Sequence, residues 1–473
     1  MHLIRGRVGA SRAGKTYGDS VADAKRKQFL EIRSPWNSGD PVLRLEFSLS
    51  EIDEAVAVAQ KAQTGLSARI PLTPESIQHL KLAIVNASES LGHWSAVEGG
   101  RTPLDFESEF RATLNYLEAL KAQIHRLSAL DSRGVSAVIG SSVWPMFYGI
   151  QFVLANFVRG NPVIFKPSER ASAYCMEWVS SLIRALNIQD ELQVLVGDRE
   201  TGRRLACHEK VRGVIFQGSY EVGMRLRQDT SSQPGKEVLL YLGAKNPMIA
   251  HHSLSETQLE EAILDAYLGS GQNCRSAPLI FVRKEIYAET KERLVNRIGK
   301  LKPARSQGDR VLLGPLLDAS RLERYLKHVA LLEKEGAQIL VRGNRVGDAA
   351  GALLVTPTLA EFQSLSAEGI RKLSCFHTEV MGPSLTLVNY EDLQDLSEKV
   401  NELSFGLCAG FKGELGPDEK RFLEGLEVGS IRVNGSLYSF DPWLSSTARK
   451  KSGNHGRLGM ELFDQVAIRR ILE

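Results

Sequence analysis

Between residues 134 and 283 the chain alternates short, almost wholly apolar runs with longer stretches of helical periodicity. The apolar runs Val135–Ile139, Pro162–Phe165, Leu192–Val196, Val211–Phe216, Val238–Tyr241 and Leu279–Val282 predict buried strands. Between them the spacing predicts helices over about 147–158, 170–187, 219–228 and 255–271, the last opening at Ser255 with acidic residues in its first turns. Strands separated by helices of this length imply right-handed βαβ crossovers and a mostly parallel sheet, hence an α/β fold. Upstream, amphipathic helices are expected at about 50–64, with Ile52, Ala55, Val56 and Ala59 on one face, and at 75–94 and 105–126. They are expected to pack on the sheet as a helical cover. Beyond Cys274 a second α/β segment is predicted, with helices near 285–299 and 318–335, the latter opening at Asp318 and closing at Gly336.

The window Gly134–Val158 carries no charge and is long enough to be weighed as a membrane span. Ser141, Ser142, Pro145, Gly149, Gln151 and Asn156 punctuate it, so a buried strand, a turn and a buried helix are the better reading. The first residues, MHLIRGRVGASRAGK, hold no apolar run, which predicts no signal peptide. With 473 residues, 43% hydrophobic and 24% charged, the chain is long enough for more than one core and too apolar for disorder. A net charge of +3 excludes the dense basic surface of a dedicated nucleic-acid binder. Five cysteines (175, 207, 274, 375 and 408) form no CxxC pair and no zinc spacing, so reduced thiols, a cytoplasmic setting and no metal are expected.

Gly9-Ala-Ser-Arg-Ala-Gly14-Lys15-Thr16 matches the P-loop pattern, but the polar residues after it do not suit the buried helix that a P-loop requires. A polar turn is the expectation. Asn161 to Glu169 reads as a buried strand ending in Lys166, Pro167, Ser168 and Glu169. At the carboxyl end of a parallel strand, Lys166 and Glu169 can hydrogen-bond ribose hydroxyls, the glutamate favouring a free 2′-hydroxyl. The next strand leads through Gln217-Gly218-Ser219 to Gly223, a turn and helix start suited to a pyrophosphate. Cys274 follows a Gly-Gln turn at a helix end inside the α/β core, where a nucleophile and a buried structural thiol are both admissible. His251-His252 and Lys450-Lys451 read as surface loops. Arg457 reads as either a solvated charge or a partner for a substrate carboxylate.

Taken in order, FKPSE at 165–169, Gly218-Ser219, Leu242-Gly-Ala-Lys-Asn-Pro247, Gly271-Gln-Asn-Cys274, Glu379-Val-Met-Gly-Pro383, Asn401 with Phe405-Gly-Leu407, and Val433-Asn434 resemble the aldehyde dehydrogenase superfamily over most of the chain. Ser452-Gly-Asn-His455 is similar to the succinylglutamate-semialdehyde branch, where that loop anchors a distal carboxylate. The resemblance implies a Rossmann-type NAD(P)-binding domain (1–116, 132–241 and 432–455), an α/β catalytic domain (242–431) and a reduced oligomerisation element (117–131 and 456–473). It implies a Cys274 nucleophile and NAD, with NADP as an alternative. The cofactor would be held by Lys166, Ser168, Glu169, Gly218, Ser219, Gly223, Leu242, Glu379 and Met381. Trp144, Arg275, Ser452 and Gly453 would face a small aldehyde, carrying a carboxylate.

Two catalytic groups of that family are replaced. Its oxyanion-holding Asn is Val143, and removing one such donor typically costs about 2.7–4 kcal/mol of transition-state stabilisation. Its general-base Glu is Tyr241, a phenol with an ordinary pKa of about 10 and a poor base at neutral pH. Three readings follow: an aldehyde dehydrogenase of atypical chemistry, including transfer of the acyl group to coenzyme A; a degenerate paralogue binding nucleotide or a partner; and a residual ester or thioester hydrolase. The segment 125–133 is about one hairpin shorter than the family's insertion before its first cofactor strand, with a C-terminal strand kept at Val466–Leu472, so a homodimer is expected rather than a tetramer. No membrane or nucleic-acid partner is expected.

Overall fold

The computed structural model describes residues 27–69, 72–127, 131–347, 351–439, 441–444, 446–454 and 456–468. The turn at Gly9–Thr16 and His455 lie outside them. An antiparallel hairpin, β1 (Gln28–Ser34) and β2 (Asn37–Phe47), comes first. Helices α1 (Glu51–Arg69), α2 (Pro74–Asn86), α3 (Ser88–Gly99) and α4 (Pro103–Gln123) follow. A short strand β3 (Asp131–Ser132) then leads into β4 (Ser136–Ile139), α5 (Pro145–Val158), β5 (Val163–Lys166), α6 (Ser172–Leu186) and β6 (Leu192–Val194). The run closes with α7 (Arg199–Cys207), β7 (Gly213–Gln217), α8 (Tyr220–Asp229) and β8 (Glu237–Tyr241).

Strands β4 to β8 form a parallel sheet in the order β6-β5-β4-β7-β8. Strand alternation divides its side chains between two cores. Val138, Phe165, Ile215 and Tyr241 face α5 and α6, whereas Ala137, Ile139, Ile164 and Leu240 face α1, α7 and α8. Because the strand order reverses beside β4, a crevice opens outside the carboxyl ends of the strands, the position at which such sheets bind ligands.

Two expectations are corrected here. Of the upstream helices only α1 lies on the sheet; α2, α3 and α4 pack on α5 and α6 as an outer layer. The helix expected over 75–94 breaks at Ala87, between Asn86 and Ser88, two residue types whose side chains compete for the backbone. The break turns Leu91, Ser95 and Glu98 of α3 inward, and the Glu98 carboxylate accepts the Ala173 and Tyr174 amides at the start of α6.

The second unit is built on β9 (Pro247–Ala250), α9 (Glu256–Tyr267), β10 (Leu279–Arg283), α10 (Tyr287–Ile298), α11 (Ala319–Lys334), β11 (Gln338–Val341), β12 (Thr358–Phe362), β13 (Ser384–Tyr390), β14 (Phe405–Gly406), β15 (Cys408–Lys412) and β16 (Ser430–Val433). Its seven-stranded sheet runs β11-β12-β13-β10-β9-β15-β16, parallel except for the edge strand β11. The helix expected to reach residue 271 stops at Tyr267. Gly269, Ser270 and Gly271 adopt φ of 61°, 58° and 66°, left-handed values that an α-helix cannot continue through. At Gly271 an added Cβ would come within 2.6 Å of the Gly382 carbonyl oxygen, so the turn seats the following residues tightly on the segment after Glu379. Near the C-terminus, Ala467–Ile468 pairs antiparallel with β3. Among the described residues no helix is long and apolar enough to cross a membrane.

Candidate active site

Cys274 emerges half-buried from that left-handed turn. Its loop is stapled by Asn246, whose Nδ2 donates to the carbonyls of Cys274 (2.7 Å) and Ser276 (2.8 Å) while its Oδ1 accepts the Cys408 amide at 3.2 Å. Asn273 Oδ1 accepts the Arg275 amide at 2.9 Å and lies 3.7 Å from the thiol. The Tyr148 hydroxyl, from the first turns of α5, lies 3.8 Å from Sγ on another side. The charge of Arg275 acts on the same hydroxyl, and its guanidinium donates to the Leu437 carbonyl at 3.3 Å. Burial pushes the thiol up to about 11, against the opposing pull of Tyr148 and Arg275. At neutral pH the sulfur is therefore protonated until a base or a substrate draws the proton away.

The two positions expected to replace catalytic groups are packed into the protein. Val143 is buried at the entrance to α5, and Trp144 beside it takes φ 42° at the helix N-cap. Its indole Nε1 donates to Asp105 Oδ1 at 3.2 Å. Tyr241 ends β8 inside the apolar core, 4.9 Å centroid to centroid from Phe152, and its hydroxyl donates to the Arg457 carbonyl at 2.6 Å. Burial raises this phenol further above its ordinary range, so it is held as a neutral donor and has no capacity as a base.

One network escaped the sequence reading. On α4, Glu109 is fully buried and accepts the Met146 (2.8 Å) and Phe147 (3.0 Å) amides at the start of α5, together with the Tyr174 hydroxyl (2.9 Å). Arg101 neutralises it, pairing with Glu109 and, at 2.8 Å, with Asp105. A carboxylate at a helix N-terminus satisfies orphan amides and the helix dipole together. The four-residue spacing of Arg101, Asp105 and Glu109 was the available signal. Arg321 of α11 faces the same cleft, which Val143, Trp144, Gln272 and Asn273 also line. It donates to Gln272 Oε1 (3.1 Å) and Ser142 Oγ (3.3 Å), and burial lowers its pKa to about 10.

Most of the segments expected to hold the cofactor lie at the crevice of the five-stranded sheet. Lys166 ends β5 with its ammonium buried and paired to Glu169 at 2.7 Å. Ser168 Oγ accepts the Arg170 amide at 3.2 Å in the turn between them. Ser219 caps α8 through Val222, exposed, directly after Gly218. Gly223 lets α8 close on Leu242, since an added Cβ would meet that side chain at 2.5 Å. Glu379 accepts the Ala244 amide at 2.9 Å, and burial pushes its carboxyl up to about 7. Met381 two residues later takes φ 51°. A donor–acceptor pair at a strand end and an exposed helix N-terminus beside it are a donor set that fits a dinucleotide's ribose and diphosphate.

The remaining positions fall elsewhere. Ser452 is fully buried, its Oγ accepting the Gly406 amide at 3.1 Å and its carbonyl the Leu242 amide at 2.8 Å. Gly453 bridges Tyr241, and a Cβ there would lie 2.3 Å from the Leu240 carbonyl oxygen. This loop therefore clamps the end of β8 instead of opening toward a ligand, a correction to the expected substrate anchor. Arg457 is committed to Glu461. The surface reading of His251 is also corrected. The ring is buried, with Nδ1 2.7 Å from the Tyr390 hydroxyl and Nε2 3.4 Å from Glu419, because β9 carries it into the sheet; His252 alone is exposed. Lys450 donates to the Asn401 (2.6 Å) and Leu403 (3.0 Å) carbonyls rather than to solvent alone.

Against known proteins, the profile of the aldehyde dehydrogenase family matches residues 21–468. N-succinylglutamate 5-semialdehyde dehydrogenase of Sphingopyxis alaskensis is 25% identical over 407 residues, which span 82% of each chain. Among solved structures, a mutant of aldehyde dehydrogenase C from Pseudomonas syringae, complexed with NAD+ and octanal, superposes with a TM-score of 0.84 at 18% identity, over 95% of this chain and 97% of that one. A betaine aldehyde dehydrogenase point mutant from Staphylococcus aureus in complex with NAD+ gives 0.83 at 19% identity, over 93% of each.

Proposed function

We propose, from the premise that this chain belongs to the aldehyde dehydrogenase family, that it oxidises an aldehyde bearing a carboxylate, with NAD as hydride acceptor and Cys274 as nucleophile. The observation that carries the reading is the thiol presented by a left-handed turn, directly after two residues that line a cleft and 3.8 Å from a phenol. Sulfur attacks the carbonyl carbon, the C=O π pair moves onto oxygen, and loss of hydride leaves a thioester on Cys274. NAD supplies the hydride acceptor. Lys166, Ser168, Glu169, Gly218, Ser219, Gly223 and Leu242 would hold its adenosine and diphosphate side, and Glu379 and Met381 its nicotinamide side. The division into a nucleotide-binding unit (1–116, 132–241 and 432–455), a catalytic unit (242–431) and a short oligomerisation element (117–131 and 456–473) goes with this reading. So does a cytoplasmic homodimer, which light scattering at micromolar concentration tests; a stable tetramer would overturn it.

Trp144 and Arg275 border the substrate, and the buried charge of Arg321 supports an anionic group in the cleft. Thioester hydrolysis needs a base that Tyr241 cannot supply. Glu379, whose field reaches the thiol and whose carboxyl sits near 7, is one route to water activation. Commitment of Tyr241 to the Arg457 carbonyl also favours a second reading, transfer of the acyl group to coenzyme A, because a thiol acceptor needs no carboxylate base. NADH formation over a panel of semialdehydes, with and without coenzyme A, separates the two. Cys274→Ala is expected to lower turnover at least about 1000-fold, or about 4 kcal/mol of barrier, with NAD binding unchanged. Measurable NAD binding without reduction by any aldehyde would leave the chain a non-catalytic member of its family.

A further inference from the structure

We propose that the Tyr148 hydroxyl is the oxyanion donor of this site, holding the negative oxygen that forms when the Cys274 sulfur adds to a carbonyl. The inference deepens the aldehyde-oxidation reading, on which it rests for the identity of the substrate. Any tetrahedral adduct on Sγ places a charged oxygen in a buried, largely apolar site, where an unmatched charge is costly. Several neighbouring side chains have no donor to spare. Val143 has none, the Trp144 indole N–H goes to Asp105, and the Tyr241 hydroxyl goes to the Arg457 carbonyl. Asn273 turns its carbonyl oxygen, not its amide nitrogen, toward the thiol.

Tyr148 differs from all of these. Its hydroxyl lies 3.8 Å from the sulfur, in a contact where either atom can donate, and the positive charge of Arg275 acts on it. A nearby guanidinium charge polarises the O–H and makes it a stronger donor. Burial first, and the thiol next, keep the phenol protonated, which a donor must be. Addition puts the substrate oxygen on the carbon bonded to sulfur, within reach of a group already touching that sulfur and of an O–H···O bond of about 2.5–3.0 Å. Tyrosine is a competent donor in oxyanion holes on other folds. The step needs no proton transfer from Tyr148. The S–C bond forms, the π pair goes to oxygen, the thiol proton goes to solvent, and the O–H···O⁻ bond shortens as charge develops.

Two reactions of Cys274 distinguish this role from a merely structural one. Acylation by p-nitrophenyl acetate passes through an oxyanion before p-nitrophenolate leaves, whereas alkylation by iodoacetamide displaces iodide without one. Tyr148→Phe is expected to slow acylation about 100- to 1000-fold. Alkylation, followed across pH, is expected to change by no more than about threefold, equivalent to half a pKa unit of the thiol. Introducing Val143→Asn into Tyr148→Phe is expected to recover at least about tenfold of the lost acylation rate by restoring a donor from another direction. Equal losses in both reactions, undiminished acylation, or no recovery in the double variant would each overturn the proposal. Wild-type protein that is acylated by the ester yet reduces no NAD with any aldehyde would defeat the aldehyde reading and leave Tyr148 as donor. Normal NADH formation by Tyr148→Phe would do the reverse.

Discussion

The crevice of the five-stranded sheet and the neighbourhood of the thiol lie close together and are built on opposite terms. In the crevice, polar groups face outward: Glu169 and Ser219 are accessible, and Lys166 reaches the strand end from a buried stem. Around the thiol, polar groups face one another. The Tyr241 hydroxyl, the Trp144 indole and the α5 amides have protein partners. Simple erosion of a catalytic site would leave buried polar atoms unpaired, at about 1–3 kcal/mol each. Among the described residues such atoms do exist, as at Gln151 of α5, Trp178 and His328, yet none belongs to Trp144, Tyr148 or Tyr241. On the function proposed above, the neighbourhood of the thiol is packed around different groups from the family's, and it should respond to mutation independently of the crevice.

The largest test of that independence is Glu109→Ala. Removing this carboxylate strands the buried Arg101 charge and uncaps α5, so a loss of about 3–5 kcal/mol in chemical denaturation is expected. Because α5 carries Val143, Trp144 and Tyr148 at its start, Cys274 acylation should fall with it. NAD affinity measured by calorimetry on the folded fraction should hold. A loss of both would join the two regions into one.

Sequence made the crevice legible because its signals are local. Buried strands announce themselves as apolar runs, and Lys166, Glu169 and Ser219 follow those runs directly in the chain. The thiol's surroundings depend on contacts between distant residues, which periodicity cannot report. Tyr148 reads simply as one more aromatic of a buried helix until α5 and the turn after α9 bring it to Cys274, 126 positions away. Glu109 sits on a helix whose periodicity predicts only an amphipathic cover. Resemblance implies a substrate-facing Ser452 and cannot report that its hydroxyl accepts a buried amide. That Val143 and Tyr241 stand at catalytic positions of the family is an expectation from resemblance; that both are packed, and Tyr241 bonded, resemblance cannot report.

Next in size is Tyr241→Phe. It leaves the Arg457 carbonyl without its donor, a penalty of about 1–3 kcal/mol in stability. Turnover of the folded enzyme should stay within about twofold, about 0.4 kcal/mol of barrier, because the phenol takes no part in chemistry. A larger fall in kcat would return Tyr241 to the mechanism and weaken the contrast just drawn. The thiol gives a pH test of smaller size. With its pKa pushed up to about 11, the reactive fraction at any lower pH is set by distance from that value. Alkylation of Cys274 should therefore rise about tenfold per pH unit, 1.4 kcal/mol, from pH 7 to 10. A plateau near neutrality would mean that a base, with Glu379 the foremost choice, already holds the proton.

Ser219→Ala addresses the other side of the comparison and has the smallest expected effect. Its side chain accepts the Val222 amide at 3.4 Å, a long and exposed cap, so the stability loss should fall near the low end of the usual range, about 0.5 kcal/mol. The hydroxyl's larger use would be to a diphosphate at the α8 N-terminus, so KM for NAD should rise while the rate of ester acylation at Cys274 stays fixed. That division is the sharpest statement of two separable regions, because the same substitution is read by one assay that needs nucleotide and by one that does not. A matching fall in acylation would mean that the α8 N-terminus and the thiol are coupled through Gly223 and Leu242, and that the two regions are not separable.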